Sequence, residues 1–218
     1  MEIKVILADD HAVVREGLKA LLEADTSINV IGLAENGRDA VRQVQELCPD
    51  VVVMDISMPE LNGIEATRQI LEFCPVSKVI ILSMYSSKEY IARAIEAGVL
   101  GYLLKETAGK EVVKAVHSVN SGKRYFSKHV TDLVLDSFTH KIKDDFLQNP
   151  LYLLSARERE VLQLVAEGKT SVEIADIVYL SPKTVETYRS RLMKKLEIGD
   201  IAGLVKFAIK HGLITLDS

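Results

Sequence analysis

Short apolar runs alternate with amphipathic stretches along the first 120 residues of the chain. Five runs rich in Val, Ile and Leu show little alternation of apolar and polar positions, which is typical of parallel strands buried on both faces. Between the runs, apolar residues recur at helical spacing. Five successive β–α units predict an α/β domain with a five-stranded, doubly wound parallel sheet. The predicted strands are residues 4–8, 28–34, 51–54, 78–82 and 101–104.

The pattern changes after residue 121, so the first predicted domain is 1–121. Residues 122–150 are more polar, contain one candidate helix at roughly 127–138, and are interpreted as an interdomain linker. Residues 151–218 are helical in pattern and predict a small all-α domain. Its first helix follows a capping box formed by Ser155 and Glu158. The later helices are predicted at 171–178, 182–196 and 200–211.

Composition favours a globular protein without a membrane-spanning segment. Hydrophobic residues make up 48% and charged residues 27% of the chain, an ordinary balance for a soluble domain. No apolar stretch approaches the roughly 18 residues that a membrane helix needs, and the acidic N-terminus does not resemble an export signal. Cys48 and Cys74 form no metal-ligand pattern. A disulfide between them is compatible with the sequence, but we expect a cytoplasmic protein with reduced thiols.

The net charge of −4 hides an uneven distribution. Residues 1–120 carry 12 Lys and Arg against 18 Asp and Glu, whereas residues 155–218 carry 10 against 9. Five basic residues and one acidic residue fall within 182–196. A basic helix after an acidic domain favours an anionic partner at the C-terminal end, although a solvated helix face would give the same pattern.

Chemically active side chains follow several of the predicted strands. Asp9 and Asp10 follow the first strand, Asp55 the third, Ser83 the fourth and Lys105 the fifth. With the strand order 2-1-3-4-5, these strands are neighbours, and their carboxyl ends meet at the edge where open parallel sheets bind ligands. The alternative is that the aspartates only cap helices and turns.

Three carboxylates at one edge repel one another unless a cation lies among them. Oxygen ligands suit a hard ion, so we expect Mg²⁺. A carboxylate beside such an ion and a lysine can accept a phosphoryl group, because both cations neutralise the phosphoryl oxygens.

The N-terminal domain resembles the CheY-like receiver domain of two-component response regulators. The resemblance lies in the segments "ILADDH", "VVVMDISMPELNG", "IILS" and "GYLLK". It implies that Asp55 accepts a phosphoryl group from a sensor histidine kinase. It also implies that Mg²⁺ is bound by Asp9, Asp10, Asp55 and the backbone carbonyl of Ser57.

The same resemblance assigns the remaining positions of the site. Lys105 would pair with the phosphoryl group, Ser83 would be the switch hydroxyl and Tyr102 the switch aromatic. Pro59 and Gly63 match the loop that follows the acceptor. None of these positions departs from the family pattern.

The last domain is similar to the LuxR-type helix-turn-helix domain, and the whole chain outside the linker resembles a NarL/FixJ-family response regulator. From the pattern alone, helices 171–178 and 182–196 have helix-turn-helix proportions, although a plain helical bundle fits as well. The resemblance implies base contacts from Glu186, Thr187 and Ser190. It implies contacts to the DNA backbone from Lys183, Thr184, Tyr188, Arg189 and Lys195. It implies a dimer contact through helix 200–211, at residues such as Ala202, Val205 and Ile209.

Two positions depart from the LuxR-type pattern. Val172 stands where Asn is usual, and Tyr188 where His is common, and we expect both departures to alter details of docking on DNA rather than binding itself. The combined prediction is a phosphorylation-activated transcription regulator, not an enzyme, that binds double-stranded DNA as a homodimer. A metal-dependent aspartyl phosphatase is disfavoured because the D-x-D pattern is missing. A receiver that serves only as a dimerisation scaffold stays open.

Overall fold

The computed structural model describes residues 2–139 and 150–215. The chain divides into two compact units, Met1–His140 and Lys141–Ser218. Part of the predicted linker, residues 140–149, lies outside the described residues. Within the described part of the chain, every helix is too short or too polar to cross a membrane.

The first unit alternates strands and helices throughout, as the sequence predicts. Each strand is followed by a helix that returns the chain to the start of the next parallel strand. The elements are β1 (Ile3–Ala8), α1 (Ala12–Glu23), β2 (Ile28–Ala34), α2 (Gly37–Leu47), β3 (Val51–Asp55), α3 (Gly63–Phe73), β4 (Lys78–Ser83), α4 (Lys88–Ala97), β5 (Gly101–Leu104), α5 (Lys105–Asn120), β6 (Tyr125–Phe126) and α6 (Lys128–Thr139).

The sheet is parallel and has the strand order β2-β1-β3-β4-β5-β6. The predicted order of the first five strands is confirmed. The prediction of five strands missed β6, in which Gly101 pairs with Tyr125 and Tyr102 with Phe126. Two residues are too few to show a strand pattern in the sequence, so only pairing with the edge of β5 reveals this strand.

Helices cover both faces of the sheet and produce two apolar cores. One core lies under α2, α3, α4 and α6 and includes Met54, Ile70 and Val130. The other lies under α1 and α5 and includes Val53 and Val116. All of β3 is buried, which explains why its apolar run shows no alternation.

Helix α6 belongs to the first unit, although the sequence assigned its residues to the linker. Val130 is fully buried in the core, and Leu133 and Val134 pack against it. Burial of these side chains stabilises the attachment of α6 to the sheet. The first unit therefore extends to about residue 140.

The second unit is a helical domain with its own apolar core. Its described residues begin with a short 3₁₀ helix, Pro150–Leu153, and a capping box of Ser155 and Glu158 starts α7. Its helices are α7 (Ala156–Ala166), α8 (Ser171–Val178), α9 (Pro182–Leu196) and α10 (Ile201–Lys210). The core includes Val161, Ile174, Val185, Leu192 and Leu204, all fully buried.

Candidate functional site

Asp55 is the last residue of the buried central strand β3, and its residue surface is 4% exposed. The following loop folds back under it. The Gly63 N–H donates to the Ile56 carbonyl at 2.9 Å. A Cβ on Gly63 would lie 1.9 Å from the Asp55 backbone oxygen, so only glycine permits this approach. The apolar strand and the glycine together fix the carboxylate at the carboxyl edge of the sheet.

Lys105 connects two carboxylates at this edge. Its Nζ lies 2.8 Å from Asp55 Oδ2 and 2.7 Å from Asp9 Oδ2. Ligand atoms of Asp9, Asp10, His11 and Asp55 all lie within 4.8 Å of one another. The structure thus brings together the carboxylates and the lysine that the sequence predicted to converge.

Burial raises the pKa of the Asp55 carboxyl to about 6, with the charge of Asp9 adding to the effect and Lys105 opposing it. The Ser57 N–H also donates to this carboxylate and stabilises its ionised form. Burial lowers the pKa of the Lys105 ammonium group. The neighbouring carboxylates of Asp55 and Asp9 raise this pKa by more than burial lowers it, so the net shift is upward. The lysine is therefore a fixed positive charge beside the two carboxylates.

Sequence reasoning missed two residues that shape the acidic cluster. The Arg15 guanidinium donates to the backbone oxygen of Asp9 at 2.5 Å and pairs with Glu35 at 3.1 Å. His11 lies at the N-cap of α1, where its N–H donates to Asp9 Oδ1 at 2.9 Å and its Nδ1 lies 2.7 Å from Asp10. The motif "DDH" contains the histidine, but nothing in the pattern signals these contacts.

Ser83 is the last residue of β4, and Tyr102 is the second residue of the neighbouring strand β5. Ser83 Oγ accepts the Tyr85 N–H at 2.9 Å. The Tyr102 ring is fully buried, and its hydroxyl donates to the Tyr85 carbonyl at 2.6 Å. Burial raises the pKa of this hydroxyl. Tyr85 also stacks on Tyr90, with ring centroids 4.9 Å apart, so the loop after β4 links both predicted switch residues.

The second unit contains two capped helices joined by a tight turn. Thr170 and Glu173 form a capping box at the start of α8. Tyr179 ends α8 in the left-handed region, at φ 54° and ψ 49°. Ser181 caps α9 by accepting the Thr184 N–H at 3.1 Å, and Pro182 occupies the first turn. These capping residues set where α9 begins, and the amino end of the helix is exposed to solvent.

One face of α9 is open to solvent over three turns. Exposed residues recur there at spacings of three and four, as expected for one face of a helix. They are Lys183, Glu186, Thr187, Ser190 and Lys194. Val185 and Leu192 lie on the opposite, buried face.

Other predicted DNA-contact residues are tied inside the unit. Arg189 donates to Ser171 Oγ at 2.8 Å, and Lys195 Nζ lies 2.8 Å from Glu158. Tyr188 is half-buried against the apolar core. Thr184 is half-buried beside Ser181.

Helix α10 also has two distinct faces. Leu204 and Ala208 are buried in the core. The predicted dimer residues lie elsewhere on this helix: Ala202 is exposed, and Val205 and Ile209 are half-buried. Val172, the departure on α8, is 59% exposed.

Comparisons with known proteins match both units. Residues 5–117 match the family described as response regulator receiver domain, and residues 152–208 match bacterial regulatory proteins of the luxR family. The response regulator UvrY of Escherichia coli strain K12 is 38% identical over 99% of this chain and 98% of its own length. The transcriptional regulatory protein MctR of Rhizobium johnstonii is 36% identical, with 98% and 96% covered.

A solved structure covers both units as well. RcsB from Salmonella enterica serovar Typhimurium, bound to promoter rprA in the presence of the phosphomimetic BeF₃⁻, is 26% identical with a TM-score of 0.59. The match spans 95% of this chain and 98% of that one.

Proposed function

The chain belongs to the two-component response regulators that combine a receiver domain with a LuxR-type DNA-binding domain, and we propose that Asp55 is its phosphoacceptor. The family consists of DNA-binding transcription regulators rather than classical enzymes. One observation carries the proposal: Lys105 Nζ lies 2.8 Å from Asp55 Oδ2 within a cluster of buried and half-buried carboxylates.

The phosphoryl donor is a phosphohistidine on a sensor histidine kinase. A carboxylate oxygen of Asp55 attacks the phosphorus, and the P–N bond breaks with its electron pair returning to the imidazole nitrogen. Lys105 holds a positive charge beside the reacting oxygen throughout, which stabilises the developing negative charge. Burial of Asp55 strips water from the nucleophile before the attack.

The cluster fits a Mg²⁺ ion. Its donors are carboxylate oxygens, which a hard divalent ion prefers, and mutual repulsion helps raise the pKa of Asp55. The ion would be held by Asp9, Asp10, Asp55 and the Ser57 carbonyl. When bound, it would neutralise charge on the transferred phosphoryl oxygens.

The acyl phosphate adds negative charge and strong acceptor oxygens to a packed edge of the sheet. Ser83 then turns to donate its hydroxyl proton to a phosphoryl oxygen, and this movement breaks the hydrogen bond that its Oγ accepts from the Tyr85 N–H. Because Tyr102 donates to the carbonyl of the same Tyr85, movement of that loop reaches the surface around β4, α4 and β5. The coupling needs only the 1–3 kcal/mol typical of such switches.

Helix α9 is the DNA-reading helix in this proposal. Its exposed face carries hydrogen-bonding groups for base edges, from Glu186, Thr187 and Ser190. Lys183 near the open amino end suits a DNA phosphate, because the side chain and the free N–H groups both attract anions. Arg189 and Lys195 first have to release Ser171 and Glu158 before they contact DNA.

Phosphorylation favours a homodimer on paired half-sites of double-stranded DNA. The outer face of α10, with Ala202, Val205 and Ile209, is the proposed contact between copies. A solved relative supports the formation of dimers on DNA, since RcsB is described as two dimers bound to two parallel DNAs.

Phosphoryl uptake tests the proposal. The full chain is incubated with acetyl phosphate and Mg²⁺, and intact mass, oligomeric state and DNA affinity are measured for wild type, Asp55→Asn and Asp50→Asn. We expect wild type and Asp50→Asn to gain one phosphoryl group, dimerise and bind DNA more tightly, and Asp55→Asn to do none of these. Uptake by Asp55→Asn at the wild-type rate would contradict the assignment. Phosphorylation without any change in oligomeric state or DNA affinity would favour a scaffold role.

A further inference from the structure

Two cysteines meet at the end of the sheet that lies opposite Asp55. Cys48 caps the carboxyl end of α2 and Cys74 caps that of α3. The neighbouring side chain of Cys74 raises the pKa of the Cys48 thiol. Cys48 is exposed, whereas Cys74 is 7% exposed and forms part of the apolar core. One sulfur is thus open to solvent and its neighbour is shielded.

Backbone contacts hold the two sulfur atoms in place. Ser77 Oγ donates to the Pro49 carbonyl at 2.6 Å and lies 3.4 Å from Cys74 Sγ. The Ser77 N–H donates to the Cys74 carbonyl at 3.1 Å. The cap of Cys48 is fixed by its N–H bond to Val44 at 3.0 Å. One serine hydroxyl therefore bridges the two Cys–Pro loops, since it contacts both Cys74 Sγ and the carbonyl of Pro49, the residue that follows Cys48.

We propose that Cys48 and Cys74 are an oxidation site that closes to an intramolecular disulfide when the chain meets a hydroperoxide or a small-molecule disulfide. The proposal does not depend on phosphorylation of Asp55. Its basis is the pairing of an exposed thiol with a shielded one on two helix ends that are already joined through Ser77.

The exposed thiol reacts first. The Cys48 thiolate attacks a peroxide oxygen, the O–O bond breaks, and after proton uptake a sulfenic acid and one water or alcohol result. The Cys74 thiolate then attacks the Cys48 sulfur, the S–O bond breaks, and a second water leaves. Two thiols are oxidised and one hydroperoxide is reduced. Thiol–disulfide exchange reaches the same product by releasing two small thiols.

The pair is tuned for slow, pH-dependent closure. The neighbouring Cys74 side chain raises the pKa of Cys48, so little thiolate is present at neutral pH. Oxidation of the folded chain is expected to become faster as the pH rises from neutral into the alkaline range. The ring so formed encloses residues 48–74, which include β3 and α3.

The decisive experiment compares disulfide formation in the folded and the unfolded full chain. Equilibrium constants for exchange with oxidised glutathione are measured by alkylation and mass spectrometry, with and without denaturing urea. A disulfide that fits the native geometry constrains mainly the unfolded chain. We therefore expect the equilibrium constant for disulfide formation to be at least about tenfold higher in the folded protein than in the unfolded one. We also expect the Tm of the oxidised protein to be at least about 5 °C above that of the reduced protein.

Cys48→Ser, a change at an exposed position, is the matched control and should show no dependence of Tm on oxidant. With hydrogen peroxide, wild type should lose both free thiols as a monomer that a reducing agent restores. An equilibrium constant that is equal or lower in the folded chain would overturn the proposal. So would oxidation that yields only cross-linked dimers, or oxidation of Cys48 that leaves Cys74 free to be alkylated after unfolding.

Discussion

Replacing Asp55 with asparagine is predicted to stabilise the receiver unit while removing its proposed chemistry. The carboxyl is 4% exposed and has its pKa raised from 3.8 to about 6, first by burial and then by Asp9, against the opposing charge of Lys105. Asparagine has the same shape and stays neutral. The substitution therefore removes the cost of an ionised group that the fold disfavours when no divalent cation is present.

The raised pKa sets both the size and the pH range of the effect. Because the folded-state pKa lies above the unfolded one, the protonated form is favoured by folding. The cost of ionisation is absent below about pH 4, grows as the pH rises to about 6, and is fully present above that. A shift of about two pKa units corresponds to about 3 kcal/mol in the free energy of unfolding.

Urea unfolding of the full chain, followed by circular dichroism in EDTA between pH 4 and pH 8, measures this difference. The helical unit serves as an internal reference. The matched control is Asp132→Asn, at an exposed aspartate of the receiver unit. Asp55→Asn should exceed wild type by about 3 kcal/mol at pH 8 and match it at pH 4. A gain that is the same at both pH values, or a carbon NMR titration of Asp55 near pH 4, would refute the reasoning.

Three further outcomes are expected. Mg²⁺ should raise the Tm of wild type, by linkage to a site that exists only in the folded state, and Asp10→Asn should lose most of that rise while keeping its Tm in EDTA. Lys183→Ala should weaken binding to all DNA sequences and lower the slope of log affinity against log salt by about 1. The control is Lys206→Ala, at an exposed lysine of α10. Equal slopes for the two variants would argue against a phosphate contact of Lys183. Lys195→Ala should destabilise the helical unit by about 0.5–1 kcal/mol at pH 7. Hydrogen bonding to Lys195 lowers the pKa of Glu158 against the opposing effect of burial. The loss of stability in Lys195→Ala should therefore shrink as the pH falls below about 4.5, where Glu158 becomes protonated. A loss of stability that is independent of pH would contradict this prediction.

The sequence predicted the convergence of the acidic side chains because parallel strands end at one edge. Asp9, Asp10 and Asp55 follow apolar runs that could be recognised as buried strands, and strand order then determined which ends are neighbours. The convergence of Lys105 on the same point follows from β5 pairing with β4. These inferences need only the direction of each strand and the length of each connection.

What the sequence did not reveal depends on individual side-chain contacts. The guanidinium of Arg15 beneath Asp9 has no pattern along the chain, because helix α1 places it there only after packing. Lys195 and Arg189 look alike as basic residues of one helix, yet both are engaged inside the helical unit, with Glu158 and Ser171. A periodic pattern gives the face of a helix but not the partners of its long side chains.

The cost of the acidic cluster and the proposed reactivity of Asp55 toward phosphorus have one physical origin. Burial removes the water that would stabilise the ionised carboxylate, and this raises its pKa. The same loss of water leaves an oxygen that needs no desolvation before it attacks phosphorus. A better solvated Asp55 would make a more stable sheet and a slower acceptor, which is the trade-off expected at functional sites. Lys105 limits the cost without abolishing it, because one ammonium group is shared between Asp9 and Asp55.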